Sequence, residues 1–154
     1  MKGCSSFWTN KCDGDHHKLL LMLFQVKCKE SLSKFQQLLR TYRIHGFRVE
    51  NGIPDSRPNF RYPLLHWAAV LGQVDVVRML LKAPYNVSPR LTTDHNQETP
   101  LHRLLDVMDK TLKSQSILTI VELLHESLAC IDAIGNTPFH ACAEALVSCS
   151  KVFF

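Results

Sequence analysis

Three histidines, His66, His102 and His140, are the residues best equipped for chemistry, and they recur at nearly equal intervals along the chain. Imidazole ligates zinc and exchanges protons near neutral pH, so a regular trio invites a metal or acid–base reading. Their surroundings argue otherwise. His66 ends the phrase Pro63-Leu64-Leu65-His66, His102 ends Thr99-Pro100-Leu101-His102, and His140 ends Thr137-Pro138-Phe139-His140. A histidine that recurs with its own local phrase belongs to a repeated unit. Packed helical layers lie roughly 10 Å apart, so equivalent histidines in successive layers do not meet at one ion. A structural role is expected for all three.

The remaining reactive side chains make no recognisable constellation. Cys4, Cys12, His16 and His17 are ligand types that zinc accepts, but the spacing C-x7-C-x3-H-H matches no zinc module, and the expectation is no metal. Cys142 and Cys149 read as small apolar residues rather than a redox pair. The chain contains no G-x-S-x-G, no phosphate-binding loop and no H-E-x-x-H, and only six glycines. Neither catalysis nor a cofactor is expected.

Composition narrows the classes further. The chain has 154 residues, 45% of them hydrophobic and 21% charged, as in a globular domain. Its formal charge of +4 permits an acidic partner without requiring one. The apolar run from Lys18 to Val26 follows Asp13 and Asp15, with no basic segment before it, unlike a secretion signal. No stretch reaches the roughly 20 apolar residues of a membrane span. The six cysteines are therefore read as reduced thiols of an intracellular protein, cytoplasmic or nuclear. Arg40, Arg43, Arg48, Arg57 and Arg61 interleave with Tyr42, Phe47, Phe60 and Tyr62. Basic plus aromatic is the composition of a contact with nucleic acid or an acidic peptide, and equally of a solvated loop anchored by a few rings.

What positions these side chains is the repeat itself. Asp94-His95-Asn96-Gln97-Glu98-Thr99-Pro100-Leu101-His102 aligns with Asp132-Ala133-Ile134-Gly135-Asn136-Thr137-Pro138-Phe139-His140. The first copy adds Ala68-Ala69, Gly72, Val77 and Leu80-Leu81. Proline suits a first helical position and threonine the cap before it. Gly72 can end the first helix, and the spacing in Val74–Leu81 predicts a second. The stretch 59–146 resembles ankyrin repeats, whose unit reads Asp-x-x-Gly-x-Thr-Pro-Leu-His-x-Ala-Ala-x-x-Gly before a second helix. Sliding the chain along itself until Leu23-Phe24 falls on Leu65-His66 also places Phe35 on Val77 and Leu38-Leu39 on Leu80-Leu81. That register, which needs no gap, marks a weaker copy upstream.

The resemblance implies an all-α, ankyrin-type helix-turn-helix solenoid of about three to four repeats, with a degenerate N-terminal unit and an incomplete C-terminal one. The expected divisions are a tail 1–14, a repeat domain 15–146 with units 15–43, 59–82, 94–125 and 132–146, a long connection 44–58, and a tail 147–154. The short C-terminal end suggests a truncated form of a longer protein. The third unit is longer than the one before it, since the span from Thr99 to Leu123 exceeds the equivalent span from Pro63 to Leu80.

The resemblance also implies that the repeated histidine bonds to the threonine hydroxyl and to backbone of the neighbouring loop. Pro63 removes that hydroxyl in the first copy, leaving His66 to find another partner or be less well held. Partners of this family sit on a concave face of loop tips and first helices. The matching positions are Asn59, Phe60, Tyr62, Val70 and Leu71, then His95, Asn96, Glu98, Asp106 and Val107, then Ala133, Ile134, Asn136, Glu144 and Ala145. The expected function is a non-catalytic, monomeric scaffold binding an unidentified protein partner. The alternative is a nucleic-acid or chromatin-associated module using the basic 40–61 stretch, and no membrane is expected.

Overall fold

The computed structural model describes residues 16–54, 60–106, 114–140 and 143. The chain divides into two compact units, Met1–Arg48 and Val49–Phe154.

In the first unit, helix α1 covers 16–24 and helix α2 covers Lys29–Ile44. Leu19 and Leu23, then Phe35 and Leu39, are fully buried, and each pair has the i, i+4 spacing that lines one helix face. The break between the helices is set by Ser31. Its Oγ accepts the Cys28 N–H at 3.0 Å and donates to the Cys28 carbonyl at 3.0 Å, closing the first turn of α2. Glu30 near the start and Arg43 near the end suit the helix dipole. Phe47 is buried, with the His16 ring edge-on to it at 5.7 Å.

In the second unit, strand β1 (Ile53–Pro54) pairs antiparallel with strand β2 (Arg61–Tyr62), Ile53 opposite Tyr62 and Pro54 opposite Arg61. The chain is mostly helical, as the sequence predicts, but not wholly so, because part of the long connection forms this ladder. Gly52 is required beside it: a Cβ there would lie 2.6 Å from the Arg61 Cβ. Helices α3 (Leu64–Val70), α4 (Val74–Leu81), α5 (Pro100–Asp106) and α6 (Ser114–Leu123) follow, with a 3-10 turn at His125–Ser127. Residues 138–140 are helical again and form α7.

The short turn from α3 to α4 depends on Gly72, at φ +71. Its N–H donates to the Ala69 carbonyl at 3.1 Å and the next N–H, Gln73, to the Ala68 carbonyl at 3.0 Å, satisfying two carbonyls at the helix end. Helix α3 packs on both α4 and α5, and α4 packs on α6. Ala68 and Ala69, both fully buried, give α3 the slim faces that this double packing needs. Leu64, Leu65, Val76, Val77, Leu80, Leu101, Ile120 and Leu124 are also fully buried. Each such aliphatic side chain contributes about 1.5–3 kcal/mol of burial. The extra length of the third unit falls between α5 and α6, where residues 107–113 lie outside the described residues. No helix among the described residues is long and apolar enough to cross a membrane.

Candidate functional site

The repeated histidines build the site from below. His102 Nδ1 accepts the backbone N–H of Thr99 at 3.2 Å and lies 2.7 Å from the Thr99 hydroxyl, which donates to it. Those two donors place the ring proton on Nε2, which donates to the Asn136 carbonyl at 2.7 Å. One imidazole thus ties the start of α5 to the next loop. His66 repeats half of this pattern: its Nε2 donates to the Glu98 carbonyl at 2.8 Å, while its buried Nδ1 has no partner. Pro63, which stands where Thr99 and Thr137 stand, supplies neither hydroxyl nor N–H. Burial first, then the nearby Arg103 charge, push the His66 pKa down to about 4 despite the carbonyl bond that raises it. His140 repeats the local half only, with Nδ1 at 3.1 Å from the Thr137 N–H and 2.9 Å from its hydroxyl.

The loops held this way are rigid for two different reasons. In the later loop, Asp132 Oδ1 accepts the N–H groups of Ile134, Gly135 and Asn136 at 2.9, 3.0 and 2.9 Å. Partial burial works to raise its pKa, but these donors and the nearby His102 outweigh it and hold the carboxyl below its ordinary value. In the earlier loop the aligned Asp94 is exposed, and the buried Thr93 takes its place, its Oγ1 accepting the Glu98 N–H at 3.1 Å. Gln97 occupies the left-handed region at φ +54 where the later loop has Gly135 at φ +97. The two loops are joined by the Ala133 N–H, which donates to the Asn96 carbonyl at 2.9 Å.

Above this frame lies a cluster of rings. Tyr62 is 4% exposed, edge-on to Trp67 at 6.2 Å and to His95 at 5.2 Å. Phe60 also meets His95 edge-on, at 4.9 Å. The Arg103 guanidinium stacks over the Tyr62 ring, its carbon 4.5 Å from the centroid. Trp67 is itself fixed by a 3.3 Å bond from its Nε1 to the Ile53 carbonyl, so the strand pair braces the cluster.

The structure therefore brings Phe60, Tyr62 and His95 together, and buries Tyr62 as a support beneath Arg103 rather than leaving it at the surface. Val70, Leu71, His95, Asn96, Glu98 and Asn136 are partly buried, Asp106 is exposed, and Ile134 is 83% exposed. Asn59, Val107, Glu144 and Ala145 lie outside the described residues. Arg40, Arg43 and Arg48 are exposed in the first unit and Arg61 in the second, with Arg57 outside the described residues. Cys4 and Cys12 also lie outside them. Cys28 and Cys130 are free thiols, and hydrogen bonding from the Ser31 side chain and backbone lowers the pKa of Cys28. Among the described residues no three His, Cys, Asp or Glu side chains gather as a metal site. Sequence reasoning missed Arg103, whose role is invisible until Tyr62, from a much earlier part of the chain, is placed beneath it.

Residues 65–105 match the family model for ankyrin repeats (many copies). Over 88 residues, 57% of the chain, the sequence is 32% identical to the cell division cycle-related protein res1/sct1 of Schizosaccharomyces pombe. The chain covers 13% of that relative's length. No solved structure matches. The matched residues hold His66, His102 and the first of the two loops they anchor, so the likeness to ankyrin repeats falls on the segment that these bonds build.

Proposed function

We propose that the chain is a non-catalytic protein-interaction module that receives one partner along the side where loop tips and first helices meet. Ankyrin repeats are generally protein–protein interaction modules and generally not enzymes. The observation that carries the reading is the contrast within the 132–136 loop. Its base is locked by three N–H bonds to Asp132 and by the His102 bond to Asn136, yet its tip presents Ile134 at 83% exposure. An apolar side chain held out on a rigid turn costs little ordering entropy when a partner covers it.

The proposed surface comprises Phe60, Val70, Leu71, His95, Asn96, Glu98, Asp106, Ile134 and Asn136, extended by Asn59, with Tyr62 beneath it. The units 59–82, 94–125 and 132–146 are proposed to stack as consecutive repeats of one monomeric chain, the histidine-to-carbonyl bonds supporting that stacking, and 15–43 is proposed as a further, degenerate unit. What the chain shares with its yeast relative is read as the repeat rather than a cell-division role, since the match covers so little of that protein. The exposed Arg40, Arg43, Arg48 and Arg61 favour the second reading, a nucleic-acid contact.

One experiment separates the two. A photo-crosslinking residue is placed in turn at 71, 134 and 48, with exposed Leu21 on α1 as control. Protein adducts at 71 and 134 but not at 21 are expected. Adducts to nucleic acid at 48, with none to protein at 71 or 134, would overturn the module reading in favour of the basic surface.

A further inference from the structure

We propose that the helix pair α1 and α2 is a docking surface for a membrane leaflet rich in anionic phospholipid, on which it lies without crossing. The proposal is independent of the protein-interaction reading above, which concerns the second unit. It departs from the sequence expectation of no membrane, which rests on the lack of a spanning segment.

Charge is divided unevenly along the chain. Met1–Arg48 carries nine Lys and Arg against three Asp and Glu, a formal +6, whereas Val49–Phe154 carries nine against eleven, a formal −2. The mild overall charge therefore conceals one strongly basic unit. Among its described residues 16–48 the one carboxylate is Glu30, which already stands 3.5 Å from the Lys34 ammonium. Arg40 and Arg43 follow Lys29 by 11 and 14 residues, about three and four turns, so the three line one side of α2. Ile44 adjoins that side at 82% exposure, and Glu30 and Lys34 fall about a quarter turn or more away from it.

Helix α1 supplies the apolar half. Leu19 to Phe24 is an unbroken run of six apolar residues, so no side of the helix is polar over that length. Leu19 and Leu23 are fully buried, but Leu21 and Phe24, one turn apart, are left 47% and 55% exposed. Exposed Lys18 precedes this pair by three residues and exposed Lys27 follows it by three. A helix that is apolar all round ordinarily has both of its sides covered.

Two features select a lipid surface from among the polyanions. Rings for stacking on bases are scarce, since Phe47 is buried and Tyr42 half-buried, and the aliphatic Leu21 and Ile44 gain nothing from phosphates. An acidic protein would need a larger seat. The exposed parts of Leu21 and Phe24 come to about 100 Å² each, against about 800 Å² per partner in a stable protein interface. A membrane asks for less. Leucine and phenylalanine dip below the headgroups while lysine and arginine stay among them. Each cation near an anionic leaflet strengthens partition about fivefold.

The test is co-sedimentation of the full chain with vesicles of phosphatidylcholine alone and of phosphatidylcholine and phosphatidylserine in equal parts. Binding is expected to the mixed vesicles and not to the neutral ones. Lys27→Gln combined with Lys29→Gln should weaken it about 25-fold. Leu21→Gln combined with Phe24→Gln, which keeps every charge and a good helix former at each site, should weaken it about 10-fold. Lys82→Gln, at an exposed lysine of the second unit, should leave it unchanged. Equal binding to neutral vesicles, no binding to mixed ones, or indifference to the Leu21 and Phe24 pair overturns the proposal. A chain that ignores the mixed vesicles but binds a DNA duplex or a Glu-rich peptide through Lys27 and Lys29 also overturns it, and assigns the basic side to that polyanion. Crosslinking at 71 and 134 is untouched by any of these results, so the interaction reading stands or falls separately.

Discussion

Pro63→Thr should make the protein more stable, although it replaces a proline with a residue whose backbone is freer when unfolded. Pro63 has φ −57 and ψ 160, a conformation that threonine adopts without strain. In the second copy Thr99 gives His102 Nδ1 both a hydroxyl at 2.7 Å and an N–H at 3.2 Å, and His66 Nδ1, buried at the equivalent place, has neither. Pairing a buried acceptor recovers about 1–3 kcal/mol. Losing the proline gives back about 0.4–1 kcal/mol to the unfolded chain. The net gain is about 1 kcal/mol, which for a chain of this size raises the melting temperature by about 3 °C. Urea unfolding of four proteins measures it: the unaltered chain, Pro63→Thr, His66→Ala and the double variant. With His66 present the substitution should stabilise; with alanine there it should destabilise by the proline term alone, a coupling of about 1.5–2 kcal/mol. Equal effects in both backgrounds would refute the reasoning, because the gain would then owe nothing to the histidine.

Two further expectations follow from the same loops. His66 has an ordinary pKa of 6.5 when unfolded and about 4 in the fold, so the folded chain resists the proton that the unfolded chain accepts. The stability this represents is complete above pH 6.5 and is lost as pH falls toward 4, by about 3 kcal/mol in all; His66→Gln, which keeps a donor for the Glu98 carbonyl, should flatten that part of the pH profile, and an unchanged slope would show that another group titrates. Gln97→Gly should relieve the left-handed backbone at φ +54. The relief of about 1–2 kcal/mol is offset by about 0.5–1 kcal/mol of glycine entropy, so thermal unfolding should show a gain of about 0.5–1 kcal/mol, and any loss would mean the Gln97 side chain contributes a contact.

Much of the repeat was legible because its signals are local. The Thr-Pro pair starts a helix wherever it stands, Gly72 ends one, and the apolar spacing of Val74–Leu81 needs no distant partner to be read. The orphaned Nδ1 of His66 was legible for the same reason, since the missing hydroxyl belongs to Pro63, within one turn of it. What stayed hidden depends on distant neighbours. The strands Ile53–Pro54 and Arg61–Tyr62 are too short to show a period of two. Tyr62 reads as an exposed contact until Trp67, His95 and Arg103 close around it. Asp94 and Asp132 align in sequence, yet only Asp132 gathers the loop N–H groups, because the threonine just before Asp94 takes over in the first loop.

The three copies then differ in a way that bears on where binding is strongest. Leu65 and Leu101 occupy one repeat position and are fully buried, whereas Phe139, at the same position of the third copy, is 61% exposed. His66 and His102 likewise each reach a carbonyl of the following loop, so the face that each presents is covered and braced by the unit after it. Stability in such arrays is a sum of unit and neighbour terms, so the turn around Phe60, His95 and Arg103, flanked by packed helices α3 and α5, is better supported than the 138–140 segment. A partner that grips both regions should therefore find its better-braced contacts around Phe60 and His95, with the 132–136 loop, tied to Asn96 and His102, as a second hold. On this reasoning loss of the Ile134 side chain should weaken binding through the apolar area that it removes, and should do so chiefly by speeding dissociation.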